Sequence, residues 1–411
     1  MATVHPFKAV FPFPPVAPQV AAPPYDVVSG EEAAAQAKGK PLHFFHVSRS
    51  EIDLPAGTDP YSPAVYAQAK ANYERLRREA PLFQETEPVF YVYSLVMNGR
   101  RQTGLAAAAS VDDYEGGIIK KHEKTRKDKE DDRTRHILAL DSQTGPVFLT
   151  CKPEARLAAL SARVMQAPPF LDFTADDGVR HSVWRVAAAA DIAAIRAIFA
   201  AMPALYIADG HHRAASADRT REQRRQANPR HTGQEEYNRF LAVIFPADQL
   251  AILPYNRLVL DLNGLTPAEF LKRCEAHFRI TPTDAPAPAQ PGTVHLFLGG
   301  RWLALACAAD TAGLSAIDRL DVSLLQNLVL GPVLGIADPR TSKRIEFVGG
   351  IRGTRCLEEK VCAGEAAVAF SMYPTTVQQL MDIADEGGIM PPKSTWFEPK
   401  LRDALLIHDL D

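Results

Sequence analysis

Hydrophobic residues follow two periods along this chain, one typical of strands and one typical of helices. Runs that alternate, or that are rich in β-branched and aromatic residues, predict strands, whereas apolar positions three or four residues apart predict helices. Strands are predicted at 42–47, 89–97, 102–111, 146–151, 170–173, 179–186, 205–209, 240–245, 258–260, 294–298, 302–306, 343–347 and 366–372. Helices are predicted from residue 31, at 63–79, 154–164 and 190–201, after residue 210, from about residue 323 and at 377–385. This mixed order predicts an α+β fold.

Length and local composition indicate how these elements are grouped. A chain of 411 residues exceeds the usual size of one domain, so we expect two or three compact units. We divide the chain into an N-terminal extended segment and α+β region at 1–110, a core at 111–260 and a C-terminal α+β region at 261–411. Residues 281–292 are rich in proline and alanine and form the clearest loop or linker.

Composition and charge narrow the choice of partners. Hydrophobic residues make up 46% of the chain and charged residues 23%, as in ordinary soluble globular proteins. The net charge of −3 predicts no general attraction to nucleic acid or to an anionic membrane. The five cysteines are scattered, so we expect reduced thiols and no structural zinc. With no secretion signal and no bilayer-spanning stretch, the expectation is a cytoplasmic protein with a small-molecule partner, and the oligomeric state stays open.

The most informative stretch joins a predicted strand to a predicted helix. An apolar run ends in Asp209 and Gly210, and His211, His212 and Arg213 then open the helix. Gly210 can take the positive φ that a sharp turn needs, and the first helix amides carry the positive end of the helix dipole. The stretch from Gly210 to Arg213 is therefore predicted to bind phosphate, with Asp209 as a catalytic or metal-binding carboxylate. A simpler alternative is that Asp209 only caps the helix while the histidines lie half-buried.

A second polar cluster follows the apolar pair at 118–119. Glu123 is predicted to act as a general base or a metal ligand, because it comes just after this short apolar strand. The neighbours predicted to take part in catalysis or to neutralise phosphate charge are His122, Lys124, Thr125 and Arg133. The alternative is a solvated helix face with ion pairs between successive turns. Arg126 stands where a zinc protease would have its second histidine, so that class is excluded.

Two segments bounded by prolines are stiff enough to hold side chains over a site. Tyr25 and Asp26 are predicted to form a substrate loop, although a surface strap that packs its phenylalanines on a core is an equal alternative. Near the C-terminus, Lys393, Ser394 and Thr395 are predicted to bind phosphate. For that second segment the alternative is a structural role, in which its neighbouring aromatic residues anchor the loop.

These motifs resemble those of known families. The run Asp209-Gly210-His211-His212-Arg213, followed by Ala217, resembles the glycine-basic motif of the ParB/sulfiredoxin-like superfamily, and most closely that of its free-serine kinases. The chain as a whole resembles the domain of unknown function 1015 family through residues 21–29, 122–133, 209–213 and 391–400. Neither a Walker-type loop nor a Rossmann glycine motif is present, which removes those two classes of nucleotide-binding protein.

The resemblance implies a fold and a reaction. The fold would be α+β, with a ParB/sulfiredoxin-like phosphate-binding core and additional mixed-sheet domains. The reaction would be phosphoryl transfer to the hydroxyl of free L-serine or a similar metabolite, with ATP, ADP or pyrophosphate as the donor. Asp209 or Glu123 would accept the proton, and the other would bind Mg²⁺. The alternatives are a nucleotide-binding regulatory module and a phosphoester hydrolase.

Overall fold

The computed structural model describes residues 1–79 and 82–411, and their elements form an α+β fold as predicted. The strands are Val4–His5 (β1), Val10–Pro12 (β2), Leu82–Gln84 (β3), Phe90–Met97 (β4), Arg100–Ser110 (β5), Ile119–Lys120 (β6), Ser142–Gln143 (β7), Val147–Cys151 (β8), Leu171–Thr174 (β9), Arg180–Val186 (β10), Leu205–Asp209 (β11), Arg239–Pro246 (β12), Ala251–Leu253 (β13), Tyr255–Val259 (β14), Phe278–Pro282 (β15), Thr293–Leu298 (β16), Arg301–Cys307 (β17), Ile345–Gly349 (β18), Val368–Ser371 (β19), Trp396–Glu398 (β20) and His408–Asp409 (β21).

The α-helices vary from single turns to more than four turns. They are Ala17–Val20 (α1), Gly30–Ala37 (α2), Phe45–Ser48 (α3), Pro63–Glu79 (α4), Val111–Glu115 (α5), Lys127–Leu140 (α6), Ala155–Val164 (α7), Ala189–Ala200 (α8), His211–Ala227 (α9), Pro267–Cys274 (α10), Asp321–Leu325 (α11), Arg355–Cys362 (α12) and Val377–Asp385 (α13). In the part of the chain that the structure describes, no helix is both long enough and apolar enough to cross a bilayer.

The chain folds into two compact units that do not follow the three regions drawn on the sequence. The first unit contains residues 1–250 and 399–411, and the second contains residues 251–398. Residues before and after 110 share one sheet, because β5 pairs with β12 from Arg239 opposite Ser110 to Ile244 opposite Leu105. The C-terminal residues return to the first unit, where β21 pairs with β7.

A nine-stranded mixed sheet forms the centre of the first unit. Its strand order is β6-β11-β8-β12-β5-β4-β10-β9, with β1 alongside β5. Two pairs are parallel, β6 with β11 and β8 with β12. Since β6 and β11 run in the same direction, their carboxyl ends lie at the same edge of the sheet. The residues that follow β6 and β11 are therefore brought together, although almost ninety positions separate them in sequence.

Two apolar clusters stabilise the first unit. The first lies on the sheet and includes Ile195, Ile198 and Phe199 of α8 together with Leu205 and Ile207 of β11. A second cluster joins α2, α3 and α4 with the end of α6 and with residues 404 and 407 of the C-terminal segment. Burial of this kind contributes about 25 cal/mol per Å² of apolar surface and is the main force that holds the layers together.

The second unit contains a separate antiparallel sheet. Its order is β15-β17-β16-β19-β14-β18, and α12 packs on β16 and β19 over a small apolar core. The proline-rich stretch at 281–292 belongs to this unit: its first two residues lie in β15, and the rest connects β15 to β16. It is a loop within one sheet.

One predicted strand is wrong. Residues 42–47 were expected to be extended, but they form turns that lead into the short helix α3. Phe44, Phe45 and Val47 are fully buried in the cluster with α4, so the run is apolar on more than one side. A short apolar run of this type has no period that distinguishes a strand from a buried helical turn.

Gly104 lies at the middle of β5, where there is no room for a side chain. A Cβ atom at this position would stand 2.7 Å from Phe245 Cδ1 and 2.8 Å from the Ile244 carbonyl oxygen, and Phe245 is fully buried. We therefore expect Gly104→Ala to lower the free energy of unfolding by about 1–3 kcal/mol, as overpacking does. Urea unfolding would measure this. Gly313→Ala, where no atom lies within 4 Å, serves as the control and should change little.

Candidate functional site

The turn between β11 and α9 has the geometry that its sequence predicts. Gly210 has φ 91° and ψ 31°, a left-handed conformation that strains any residue with a Cβ atom. Asp209 Oδ1 accepts a hydrogen bond from the Gly210 amide at 2.9 Å, and no side chain caps α9. The capping role considered for Asp209 is therefore not what the structure shows. The first amides of α9 are left available to a bound anion.

Asp209 is paired with a lysine from the other end of the chain. Lys400 Nζ donates to Asp209 Oδ2 at 2.9 Å, and the two side chains are 15% and 30% exposed. Burial would raise the pKa of Asp209, but the charges of Lys400 and Arg213 outweigh it and hold that pKa well below its usual range. Asp209 is therefore ionised at neutral pH and is a weak base.

Arg213 points away from solvent into the first unit. Its Nη1 donates to the Pro146 carbonyl oxygen, and its Nη2 lies 3.6 Å from Asp26 Oδ1. Nε and Nη2 are buried and make no hydrogen bond. Burial opposes the charge, but Asp26 and Asp209 outweigh it and raise the pKa, so the guanidinium stays protonated. A charged side chain is thus held in the interior with two donors unused.

The predicted substrate loop lies beside Arg213. Tyr25 is buried, and the Arg133 guanidinium stands over its ring at 4.0 Å from the ring centroid. Arg133 also donates to Asp132 Oδ2 at 2.9 Å. Asp26 is exposed at the surface next to this pair. Tyr25, Asp26, Arg133 and Arg213 are therefore brought together, and their roles at a site stay predictions.

His122, Glu123 and His211 form a second group at the same edge of the sheet. The rings of His122 and His211 meet edge to face with 4.4 Å between centroids, and Glu123 Oε2 lies 3.9 Å from His211 Nδ1. Burial lowers the pKa of His122 to about 4 and also lowers that of His211, so both imidazoles are neutral. The ligand atoms of the three side chains lie within 4.8 Å of one another.

This group meets only part of what a metal site needs. Two imidazoles and one carboxylate suit Zn²⁺, Mn²⁺ or Fe²⁺, whereas Mg²⁺ prefers oxygen ligands. His211 Nε2 accepts a hydrogen bond from the His122 backbone amide at 3.4 Å. A neutral imidazole carries one ring proton, so that proton lies on Nδ1 and faces Glu123. The observed geometry therefore favours a His211–Glu123 proton relay over a metal on His211.

The remaining predicted residues take different positions. His212 Nε2 accepts from the Arg126 amide at 3.1 Å and so holds the loop before α6. The Thr125 hydroxyl donates to Glu130, and Lys124 is exposed in the same loop. Lys393, Ser394 and Thr395 belong to the second unit, where the Ser394 hydroxyl donates to the Pro391 carbonyl at 2.6 Å and the Lys393 carbonyl accepts from Arg257. For those three, phosphate binding stays a prediction.

A sequence profile of the family described as "Protein of unknown function (DUF1015)" matches residues 4–323, well over half of the chain. The chain belongs to the DUF1015 family. No functionally curated protein matches it.

Solved structures similar to this DUF1015 protein are distant in sequence. A free serine kinase in complex with AMP is 14% identical, with a TM-score of 0.37 over 74% of this chain and 92% of that one. A conserved hypothetical protein from Pyrococcus furiosus is 13% identical, with a TM-score of 0.36 over 73% and 93%. SbnI from Staphylococcus aureus, truncated at its C-terminus, is 12% identical, with a TM-score of 0.39 over 72% and 85%.

Two side chains at this site were missed by sequence reasoning. Lys400 closes the predicted C-terminal loop but was not chosen, and Asp403 lies just beyond it. Both lie after residue 323, where the DUF1015 match ends. Asp403 is 3% exposed and is held by paired backbone hydrogen bonds with Ala22. The signal that could have found them is the charged group Lys400, Arg402 and Asp403 directly before the apolar stretch at 404–407.

Proposed function

We propose that this protein is a small-molecule phosphotransferase, and specifically a kinase that phosphorylates the hydroxyl of free L-serine or a similar metabolite. The observation that carries the proposal is the turn at Gly210. There an uncapped helix N-terminus, the Lys400 ammonium and the ionised Asp209 carboxylate lie within one turn of α9. Phosphoryl transfer depends mainly on positioning and on charge neutralisation, and these groups supply both.

In this proposal the donor phosphates lie on the first amides of α9, with Lys400 and the exposed Lys124 neutralising their charge. ATP, ADP and pyrophosphate all present such phosphates. Asp209 holds Lys400 in place and, being ionised, is the carboxylate suited to Mg²⁺. When bound, Mg²⁺ would neutralise the charge on the donor phosphates.

Glu123 is the base in this proposal. Its carboxylate is 44% exposed, and His211 Nδ1 faces it. It can therefore approach the acceptor hydroxyl, whereas Asp209 is a weak base because the charges of Lys400 and Arg213 hold its pKa well below the usual range. His122 acts by positioning, because its buried ring packs edge-on against His211. General-base assistance of this kind contributes about 10²–10⁴-fold to rate.

Phosphorus NMR of the purified protein with Mg²⁺, L-serine and each donor in turn tests the function directly. A phosphoserine signal would establish the transfer and identify the donor. Release of inorganic phosphate without a phosphorylated acceptor would show a hydrolase instead. Saturable nucleotide binding without turnover would show a regulatory module.

The metal requirement separates the two roles considered for the histidines. We expect protein stripped by a chelator to lose transfer, to regain it fully with Mg²⁺ and to gain nothing further with Mn²⁺, because the ligands are oxygen atoms. His122→Ala should leave this metal preference unchanged. Activity restored by Zn²⁺ or Mn²⁺ but not by Mg²⁺, and lost in His122→Ala, would instead place the metal on the His122–Glu123–His211 group.

A further inference from the structure

A small cavity lies behind the predicted substrate loop, inside the first unit. Its volume is about 40 Å³, enough for roughly three water molecules. Both charged or polar side chains and apolar side chains line it. The lining residues that matter here are Tyr25, Arg133, Gly145, Val147, Arg213 and Asp403.

Two charged groups at this cavity are buried, and one of them, Arg213, has donors that make no hydrogen bond. Arg213 is 9% exposed, yet its Nε and Nη2 donate no hydrogen bond. Asp403 is 3% exposed, and the charges of Arg213, Arg133 and Arg402 act on its carboxyl group. An unmet buried donor costs roughly 1–3 kcal/mol, and more when it is charged. The cavity is therefore built to be filled by something polar.

The arrangement calls for a ligand with charges of both signs. The Nε–Nη2 edge of a guanidinium is a two-donor fork that matches a carboxylate, and the Asp403 carboxyl group can accept from an ammonium. A phosphate would meet Arg213 but carries no positive charge to offset Asp403 and Asp26, whereas the ammonium of a zwitterion does. We infer that this cavity binds the head group of a small free amino acid, with its α-carboxylate on Arg213 and its α-ammonium on Asp403.

Gly145 explains how Asp403 reaches the cavity. A Cβ atom at this position would collide with the Asp403 carboxyl group. The backbone of Asp403 is held from the other side, where its amide donates to the Ala22 carbonyl at 2.9 Å. Glycine at 145 therefore leaves the space into which the carboxyl group projects.

The electrostatics of Asp403 fit a site that receives a cation. Burial raises the pKa of Asp403 to about 7, with Arg213 lowering it and Asp26 raising it. The other charged groups that face it are Arg133 on α6 and the adjacent Arg402. Arrival of an ammonium would favour the carboxylate, so a proton leaves Asp403 as the ligand binds near neutral pH.

This assignment deepens the proposed phosphotransfer, on which it rests for the chemistry, because it names the class of acceptor and the groups that hold it. It also assigns Arg213 to binding the acceptor amino acid, whereas the sequence analysis predicted that Arg213 binds the donor phosphates. Arg213 follows His211 and His212 within one turn of α9, so the cavity adjoins the turn that carries the proposed phosphate site. The amino acid can bind in the cavity without a phosphoryl donor and without catalytic turnover, so this binding can be measured separately.

Isothermal titration calorimetry of the full chain without nucleotide tests the assignment. L-Serine is expected to bind, and L-serine methyl ester and N-acetyl-L-serine are expected to bind at least tenfold more weakly, because each lacks one charge of the head group. Inorganic phosphate should not compete. Equal binding of either analogue, or competition by phosphate, would overturn the inference.

Variants of the lining residues test whether L-serine binds in this cavity. Asp403→Asn is expected to weaken L-serine binding at least tenfold at pH 8, and Gly145→Ala should do the same by displacing the carboxyl group. Asp177→Asn is the matched control, because that half-exposed carboxylate pairs with the neighbouring Arg402, and it should change affinity less than twofold. Unchanged binding in both Asp403→Asn and Gly145→Ala would contradict the assignment.

The pH dependence gives a readout that survives any loss of stability. Wild-type affinity should rise about tenfold from pH 6 to pH 8, as Asp403 ionises through a pKa of about 7, and the rise should disappear in Asp403→Asn. Amino-acid binding without phosphorylation would support the cavity assignment and contradict the proposed kinase activity. Phosphorylation of an acceptor that has no amino-acid head group would support the kinase activity and contradict the cavity assignment.

Discussion

Replacing Lys400 by alanine is expected to lower kcat/KM for phosphoryl transfer by about 10²–10³-fold, as loss of one pre-organised charge does in other active sites. Two effects act in the same direction. The ammonium no longer neutralises the donor phosphates, and the partly buried Asp209 carboxylate is left without its partner at 2.9 Å. An uncompensated carboxylate at the phosphate site would repel the donor.

Asp209→Asn tests the same pair from its other side. Because Asp209 and Lys400 act as a unit, the double variant should lose little more than either single variant. The measurement is initial rate against donor concentration, with circular dichroism to show that the variants remain folded. Lys40→Ala is the control: Lys40 forms an ion pair of similar length with Asp176, but at the exposed surface. Transfer by Lys400→Ala at the wild-type rate would show that the phosphates bind elsewhere.

Asp403→Asn is expected to make the protein more stable at pH 8, although it removes a charge from a predicted site. Burial raises the pKa of Asp403 from 3.8 to about 7. A carboxyl group with a raised pKa stabilises the fold below its unfolded pKa, and that contribution is lost as pH rises through the folded pKa. Between pH 5 and pH 8 the wild type should therefore lose about 2–3 kcal/mol that the variant keeps.

Urea unfolding at several pH values, without any amino acid present, measures this difference. The difference between the free energies of unfolding of variant and wild type should widen steadily from pH 5 to pH 7 and level off above pH 8. Asp177→Asn, whose side chain is 52% exposed, should show no such widening. A constant difference across this range would mean that Asp403 is ionised throughout and satisfied by the arginines around it.

Both effects depend on contacts between residues that are far apart in sequence, and local sequence patterns do not predict such contacts. Lys400 meets Asp209 across 191 positions, and Asp403 reaches Gly145 because Ala404 donates to Thr144 and Asp403 pairs with Ala22. No period or motif in the sequence reports contacts of this kind. They follow from the return of residues 399–411 to the first unit after the chain has formed the second.

Local signals were reliable where one short stretch determined its own geometry. The Gly210 turn, the strands at 89–97 and 102–111 and the helix at Pro63–Glu79 were all predicted, since glycine conformation and apolar spacing are properties of neighbouring residues. The strand predicted at 42–47 was wrong, because burial on more than one side removes the hydrophobic period that distinguishes a strand from a helical turn. The division into regions at 110 and 260 differs from the two observed units, because local composition does not predict which distant segments pair as strands.

The sequence by itself determined the α+β class, most of the elements, the family and the turn that opens α9, since each rests on local spacing or on a contiguous motif. Only the tertiary structure decided which charges meet at that turn. The parallel pairing of β6 with β11 brings His122 and Glu123 to His211, and the returning C-terminal segment supplies Lys400 and Asp403. The physical reason is that burial, not sequence distance, sets the pKa values and the unmet hydrogen bonds on which the proposed chemistry depends.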